Sequence, residues 1–426
     1  MEEATVVPAA PPRLRTDVLW TFGGKAATLV FGLLIVVAVA RELGPSGQGL
    51  FAVAYSLTLL LAQLGGLGLT SANPFFTARE PARRAQIVAN SLWLAAGLGL
   101  VLIAIGLALR AAAPDALDGL GWEPLIVTLA GVPGALAALF LQSVLLGESR
   151  MVAYNVIEAG QAALTFAALL VALLAFDAGL TGALAILTAG RYAAALAYLA
   201  VLTPSGRPDR RLARRMFAYG LRAYVAIVVS FLVIRLDLLL VNGYLGSAEA
   251  GLYSVAATLA DGMFVLPMVV ALNLFPRVAR SDSHGQTAEV FRSLAVLYGA
   301  LCLLTIPAAQ VIPLVFGDEF QGSIDLYYWL LPGIFCLGML TILAHHFAGR
   351  GYPKEAAAIW FVGLGLNLAI NVAFLPGRGA WVASLASSIA YAVLLALHVW
   401  LFVREAGTWA ALRPRRGEIV RLVRGR

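Results

Sequence analysis

Twelve apolar runs, each near the length needed to cross a bilayer, dominate this 426-residue sequence. A spanning helix needs about 20 mostly apolar residues. Such runs lie at roughly 17–40, 49–72, 87–110, 124–146, 154–176, 180–202, 217–242, 251–275, 291–316, 326–348, 356–375 and 380–403. The alternation of barrel strands is absent, so the spans are predicted to be helices. The first run is too long and too rich in Gly and Thr for a cleavable leader. Composition agrees with the runs. Only 12% of residues are charged and mean hydropathy is +0.87, where a soluble domain carries about 25% charge. Lipid must therefore be the solvent for most of the chain. Soluble multidomain, disordered and disulfide-scaffold classes are excluded by the same figures. Cys302 and Cys336 fall inside apolar runs and read as packing residues.

The net charge of +7 is not a nucleic-acid signal. The basic residues sit in the gaps between spans, as membrane topology requires. With the N-terminus placed in the cytoplasm, 23 of the 30 basic residues fall on the cytoplasmic side. Only Arg41, Arg110 and Arg378 fall opposite. Both termini are therefore predicted to be cytoplasmic.

The chain also repeats itself. Leu43-Gly-Pro-Ser-Gly-Gln-Gly-Leu-Phe-Ala-Val-Ala54 aligns without gaps on Leu245-Gly-Ser-Ala-Glu-Ala-Gly-Leu-Tyr-Ser-Val-Ala256, at an offset of 202. The same offset carries Pro74 to Pro276 and Gly147 to Gly349. Each half then holds six spans, an even number, so the repeat is parallel about an axis along the membrane normal. The predicted fold is an all-α polytopic membrane protein of two six-helix bundles. The first lobe is expected over 1–202 and a cytoplasmic linker over 203–216. A second lobe is expected over 217–404 and a basic cytoplasmic tail over 405–426. Paired bundles of this kind commonly hold a substrate site between them near the midplane.

No catalytic constellation is present. Gly65-Gly-Leu-Gly68 lacks the strand and the lysine of a phosphate loop. No Ser-His-Asp spacing or acidic cluster stands out. Neither an enzyme nor a cofactor nor a bound metal is expected.

Several segments resemble the polysaccharide flippases (Wzx-like) of the multidrug/oligosaccharidyl-lipid/polysaccharide exporter superfamily. Trp20-Thr-Phe-Gly-Gly-Lys25 and Ala40-Arg-Glu-Leu-Gly-Pro-Ser-Gly-Gln-Gly-Leu-Phe51 resemble their first span and first outer turn. Arg235-Leu-Asp237, Leu245-Gly246, Gly251-Leu-Tyr253 and Pro276 resemble the seventh and eighth spans. Phe316-Gly-Asp-Glu-Phe320, Gly349-Arg-Gly351 and the Asn367 to Asn371 segment resemble the C-terminal lobe. The resemblance implies a V-shaped, MATE-like pair of lobes in the bacterial inner membrane. It further implies export of an undecaprenyl-diphosphate-linked glycan. A glycan polymerase or glycosyltransferases are the implied protein partners.

Ionisable groups inside spans are costly and suggest function by default; the alternative is an ion pair between helices. Lys25 shares a helical face with Thr21, Thr28 and Gly32, which points to a cavity or another helix. Asn73 ends a stripe with Ser56, Gln63, Gly66 and Thr70. Glu158 lies with Tyr154, Gln161 and Thr165, and the repeat maps this face onto Trp360, Gly363 and Asn367. A polar face shared by both lobes points to an interior cavity. Arg191 lies mid-span near Thr188 and Tyr198. Asp261 shares a face with Ser254 and Thr258. Arg235 and Asp237, two apart, point about 200° apart, so only one can face a cavity, and an Arg235–Asp261 pair is one outcome. His345-His346 and His398 read as packing; no acidic partner sits at ligand spacing.

Lys25, Arg191 and Arg235, with Asn73, are the candidate substrate contacts, because cations would replace the hydration of a diphosphate. Arg binds phosphate oxygens through a planar fork. Glu158, Asp237 and Asp261 would hold those cations or carry a coupling ion, H+ or Na+. A cation-coupled multidrug exporter of related fold and a non-transporting scaffold in glycan synthesis are the alternatives.

Overall fold

A computed structural model describes residues 14–406 apart from 113–116, 118, 204, 282–283 and 351–352. Most of the expected basic tail, from 407 on, lies outside the described residues. Every long element is a helix. The first half holds α1 (Leu14–Gly65), α2 (Leu69–Arg79), α3 (Arg84–Ala112), α4 (Trp122–Gly147), α5 (Met151–Phe176) and α6 (Gly179–Leu202). The second holds α7 (Arg210–Leu245), α8 (Ser247–Ser281), α9 (His284–Ala308), α10 (Ile312–Phe316), α11 (Gly322–Gly349), α12 (Lys354–Arg378) and α13 (Trp381–Ala406). Among the described residues there is no strand.

At 52 residues, α1 would span more than twice the roughly 30 Å of a bilayer core if it were straight. It breaks at Gly44, with φ 65° and ψ −174°, just before Pro45. That backbone region belongs almost entirely to glycine, and Pro45 removes a donor from the helix ladder. The two arms of α1 are the first two spans. The repeat predicts an equivalent break 202 residues on, and Gly246, between α7 and α8, has φ 86° and ψ 175°. Among the described residues, eleven helical segments are long and apolar enough to cross a membrane, the first running from Gly23 to Gly65. With the Gly44 break they make twelve spans.

Helices α1 to α6 pack on one another, as do α7 to α13, and the two bundles meet chiefly where α1 lies on α8 and where α1 and α2 lie on α7. The outer surface is apolar, with Trp93, Leu100, Leu164, Phe176, Leu303 and Leu314 exposed. Only lipid suits such a surface, so the chain is a multi-pass membrane protein of two helical lobes.

Three boundaries differ from the sequence reading. The second span stops at Gly65, not 72, because Leu67 and Gly68 take positive φ (44° and 76°) and restart the chain as α2. Hydropathy continues across this turn, which hid it. The ninth span breaks after Pro307 into a short 3₁₀ turn and α10, which opens on Pro313. The seventh helix starts at Arg210, inside the expected linker. Leu212 and Met216, one turn apart and fully buried, anchor this basic extension.

Asp209 caps α7. Its carboxylate accepts from the backbone N–H groups of Leu212 and Arg211, and its own backbone N–H and C=O are held by the Asn90 side chain of α3. The Leu212 N–H foremost holds this carboxyl below the usual aspartate range. A lowered folded-state value stabilises above the unfolded value, about pH 3.9, and that contribution is lost as pH falls through the folded value. Asp209→Ala is expected to lower the melting temperature at pH 7. Asp209→Asn, also a good cap, should melt near wild type at pH 7 and show a shallower decline between pH 5 and 3. Thermal melts of the three proteins across that range check this.

Candidate functional site

The lobes touch at both ends. At the end bearing the Gly44 and Gly246 breaks, two backbones meet with no room for a side chain. A Cβ on Gly49 would lie 1.8 Å from the Ser247 carbonyl oxygen, and one on Gly251 would lie 1.9 Å from that of Pro45. Gln48 donates to Ser254 there at 3.1 Å, and Arg41 donates to the carbonyls of Leu314 and Val315 at the end of α10. At the end bearing the connection between lobes, Gly68 and Gly220 are in backbone contact. Phe75 stacks on Tyr219 at 4.1 Å, and Arg215 pairs with Glu80 at 2.6 Å.

Between these two closures lies a chamber of about 510 Å³. Both arms of α1, with α5 and α6, form one side, and α7 with α8 the other. Most of the wall is apolar: Leu29, Leu33, Val36, Phe51, Leu187 and Leu238 among others. Its polar groups include Thr28, Gln48, Tyr55, Ser56, Gln161, Thr165, Ser254 and Thr258, with Arg191, Arg235 and Asp261 as the charged ones. Concave, mostly apolar cavities with a few convergent polar groups are the usual form of a binding site.

The three candidate cations differ in what holds them. Arg235 on α7 donates to Asp261 on α8 at 2.7 Å, both partly open to the chamber. Lys25 on α1 is held by Glu158 on α5 at 2.7 and 2.8 Å and by the Tyr154 hydroxyl at 3.1 Å. This pair lies one turn beyond the lining residue Thr28, outside the chamber wall. Arg191 alone of the three has no carboxylate among the described residues. Its guanidinium sits over the Tyr55 ring at 5.6 Å, and its buried Nη2 has no hydrogen-bond partner. Tyr55, a lining residue that sequence reading did not single out, carries no charge or motif that would have flagged it.

Asn73 does not reach the chamber. It is fully buried on α2 and donates to Ser91, Ser143 and the Phe140 carbonyl within its own lobe. The turn at Gly66–Gly68 rotates it away from the Ser56 face. Asp237 also faces inward to its own lobe, which resolves the Arg235/Asp237 choice in favour of Arg235. It is 3% exposed and accepts from Tyr253, from Ser387 at 2.9 Å and from the Leu238 backbone N–H. Ser387 accepts in turn from Asn367, whose side-chain oxygen accepts from Asn371. The face of α12 that the repeat maps onto Glu158, Gln161 and Thr165 thus packs on α13, and its Asn367 reaches Asp237 through Ser387. Of this face in the first lobe, Gln161 and Thr165 line the chamber while Tyr154 and Glu158 do not; in the second lobe none of its counterparts does.

His346 is buried and shares a hydrogen bond of 2.8 Å with Thr287, and His398 is buried beside Leu394. Sequence spacing offered His346 no acidic partner, but the fold supplies one. Ligand atoms of His284, His346 and Glu405 lie within 4.8 Å of one another. The Arg350 guanidinium already lies among them, 2.6 Å from His284 Nε2 and 3.5 Å from Glu405.

Residues 14–281 match the model of the polysaccharide biosynthesis protein family. The chain belongs to that family. Among curated relatives, the probable low-salt glycan biosynthesis flippase Agl15 of Haloferax volcanii is 23% identical over 46% of this chain and 44% of its own. The succinoglycan biosynthesis transport protein ExoT of Rhizobium meliloti is 28% identical over 76% of this chain and 66% of its own. The chain thus spans less than two thirds of either relative. Among solved structures, the lipid II flippase MurJ in an inward closed conformation superposes with a TM-score of 0.73 at 12% identity, covering 92% of this chain and 88% of that one. An inward-facing multidrug resistance MATE family transporter of the MOP superfamily gives 0.69 at 14% identity, covering 90% and 96%. At such identities the likeness establishes the fold: two bundles of the MOP type.

Proposed function

We propose that this family member flips a lipid-linked glycan, carried on an undecaprenyl-type diphosphate, from the cytoplasmic to the outer leaflet of the bacterial inner membrane. The family and the named activities of the Haloferax and Rhizobium relatives support the substrate class. The protein acts as a transporter and not as an enzyme. The excess of Arg and Lys in alternate connections supports cytoplasmic termini. The two closures alternate, so that the chamber opens to one face at a time.

The observation that carries this reading is Arg191: a guanidinium lining a mostly apolar chamber, with no carboxylate partner of its own among the described residues and with one buried nitrogen lacking a hydrogen-bond partner. Leaving such a donor unpaired costs about 1–3 kcal/mol, which an anionic ligand would repay with a charge-assisted bond. The chamber wall carries two arginines and one carboxylate, a balance that repels cationic drugs and attracts a diphosphate. Arg235, held by Asp261, lies on the facing lobe as a second contact. An inside-negative potential favours outward movement of negative charge by about 2.3 kcal/mol per charge per 100 mV. Asp237, enclosed by hydroxyl and amide groups, is the candidate for a coupling H+ or Na+, and Lys25–Glu158 is a tether between α1 and α5. A glycan polymerase or glycosyltransferases would work beside the chain.

Arg191→Gln is the test. One lost charge-assisted bond is worth about 1.5–3 kcal/mol, so export of the lipid-linked glycan should fall at least about tenfold with the membrane level unchanged. Arg191→Lys keeps the charge but loses the fork and should retain part of the activity. Full export by Arg191→Gln would refute the cationic chamber as the headgroup site.

A further inference from the structure

The flank of the first lobe carries a second cavity, about 410 Å³, between α5 and α6. Its walls are small or apolar: Gly160, Leu164 and Ala168 on α5, and Ala189, Ala193 and Ala197 on α6. Leu164 is 71% exposed, so the groove opens on the lipid side of the bundle. Small residues on membrane helices ordinarily serve close helix contact. Gly190 does so, since a Cβ there would lie 2.3 Å from Thr165 Oγ1. Gly160 does not: a Cβ at that position meets nothing within 4 Å, although glycine inside a helix is less stable than alanine. Among the described residues nothing fills the space beside Gly160.

The groove and the chamber share a wall. Gln161 and Thr165 line both, joined to each other by a hydrogen bond of 2.9 Å. On α6, Gly190 lines the groove and its neighbour Arg191 lines the chamber. An apolar slot open to lipid thus borders the chamber that Arg191 lines, a guanidinium with no carboxylate partner among the described residues. One kind of molecule matches both sides of that wall: an amphiphile with an anionic head and a long apolar chain.

We propose that the α5–α6 groove seats the first isoprenoid units of the lipid whose diphosphate Arg191 holds. This rests on the reading of the chamber given above and adds to it a fixed place for the chain. The tail then does not trail at random in the bilayer while the head moves; it is gripped beside Gly160 and Ala193.

Binding of two probes to the purified full chain in lipid nanodiscs tests this: undecaprenyl diphosphate and inorganic diphosphate. Gly160→Leu and Ala193→Phe should weaken undecaprenyl diphosphate at least tenfold and leave inorganic diphosphate unchanged. Arg191→Gln should weaken both probes. If the two groove variants bind the polyprenyl probe as wild type does, the groove assignment is overturned and the chamber reading stands. If Arg191→Gln binds both probes normally, the chamber reading falls and the groove assignment with it. Competition by phosphatidylglycerol equal to that by the polyprenyl probe would make the groove a general lipid slot and also overturn the assignment. Gly160→Leu decides the matter if Ala193→Phe misfolds, because a Cβ at Gly160 has no neighbouring element within 4 Å.

Discussion

Gly251→Ala is expected to abolish glycan export while the protein remains folded in the membrane. A single methyl group there would sit 1.9 Å from the Pro45 carbonyl oxygen, a backbone atom that no side-chain rotation can move aside. The lobes could then no longer meet at the end bearing the Gly44 and Gly246 breaks. A carrier that cannot close one side cannot alternate, so the loss should be near complete and not partial. Gly365→Ala is the matched control. It too replaces a glycine within a helix, but its Cβ meets nothing within 4 Å, so export should be retained. Thiol labelling supplies a second readout. With Cys302 and Cys336 replaced by Ala, a Ser56→Cys reporter in the chamber wall should react faster from the outer face in the Gly251→Ala protein. Normal export by Gly251→Ala would show that this closure plays no part in transport.

The second large effect concerns Arg235 and Asp261. Removing either partner leaves a charge facing an apolar wall, so Arg235→Ala and Asp261→Ala should each reduce export at least about tenfold, in line with about 1–3 kcal/mol for an orphaned group. The exchange Arg235→Asp with Asp261→Arg separates the two roles of the pair. It restores the ion pair and so should restore the amount of folded protein. It also moves the cation from α7 to α8, so export should stay low if the guanidinium meets the substrate. Recovery of export by the exchanged pair would reduce the pair to a structural link. Immunoblotting of membranes alongside glycan export distinguishes the outcomes.

The span count and the repeat were legible because lipid imposes long apolar runs and because the two halves keep matching turns. Gly44 and Gly246 take the same unusual backbone shape for the same reason. The Arg235–Asp261 pair was legible as one option, since residues two apart cannot share a face. What sequence did not show is how lobes use equivalent faces differently. Glu158, Gln161 and Thr165 stay near the open space, while Trp360, Gly363 and Asn367 are covered by α13, with Leu394 2.6 Å from where a Gly363 Cβ would be. Hydropathy could not mark the turn at Leu67–Gly68, because apolar residues continue through it, and this misassigned Asn73. Nor could local spacing bring Glu405 to His284, 121 positions away. That Arg191 is left unpaired while Lys25 and Arg235 are not follows from tertiary packing alone.

The contact at the Gly49 end has the form of an exchange between equals. Gly49 meets residue 247 and Gly251 meets residue 45, and 247 is 45 displaced by the repeat of 202. Each half therefore offers the other the same patch that it receives, as subunits do in an isologous homodimer. The Gly68–Gly220 contact obeys no such rule. One mouth of the molecule thus keeps the symmetry of the repeat and the other does not. A single half expressed as a free chain would retain the surface for dimerising through the first mouth, and would lack any means of forming the second.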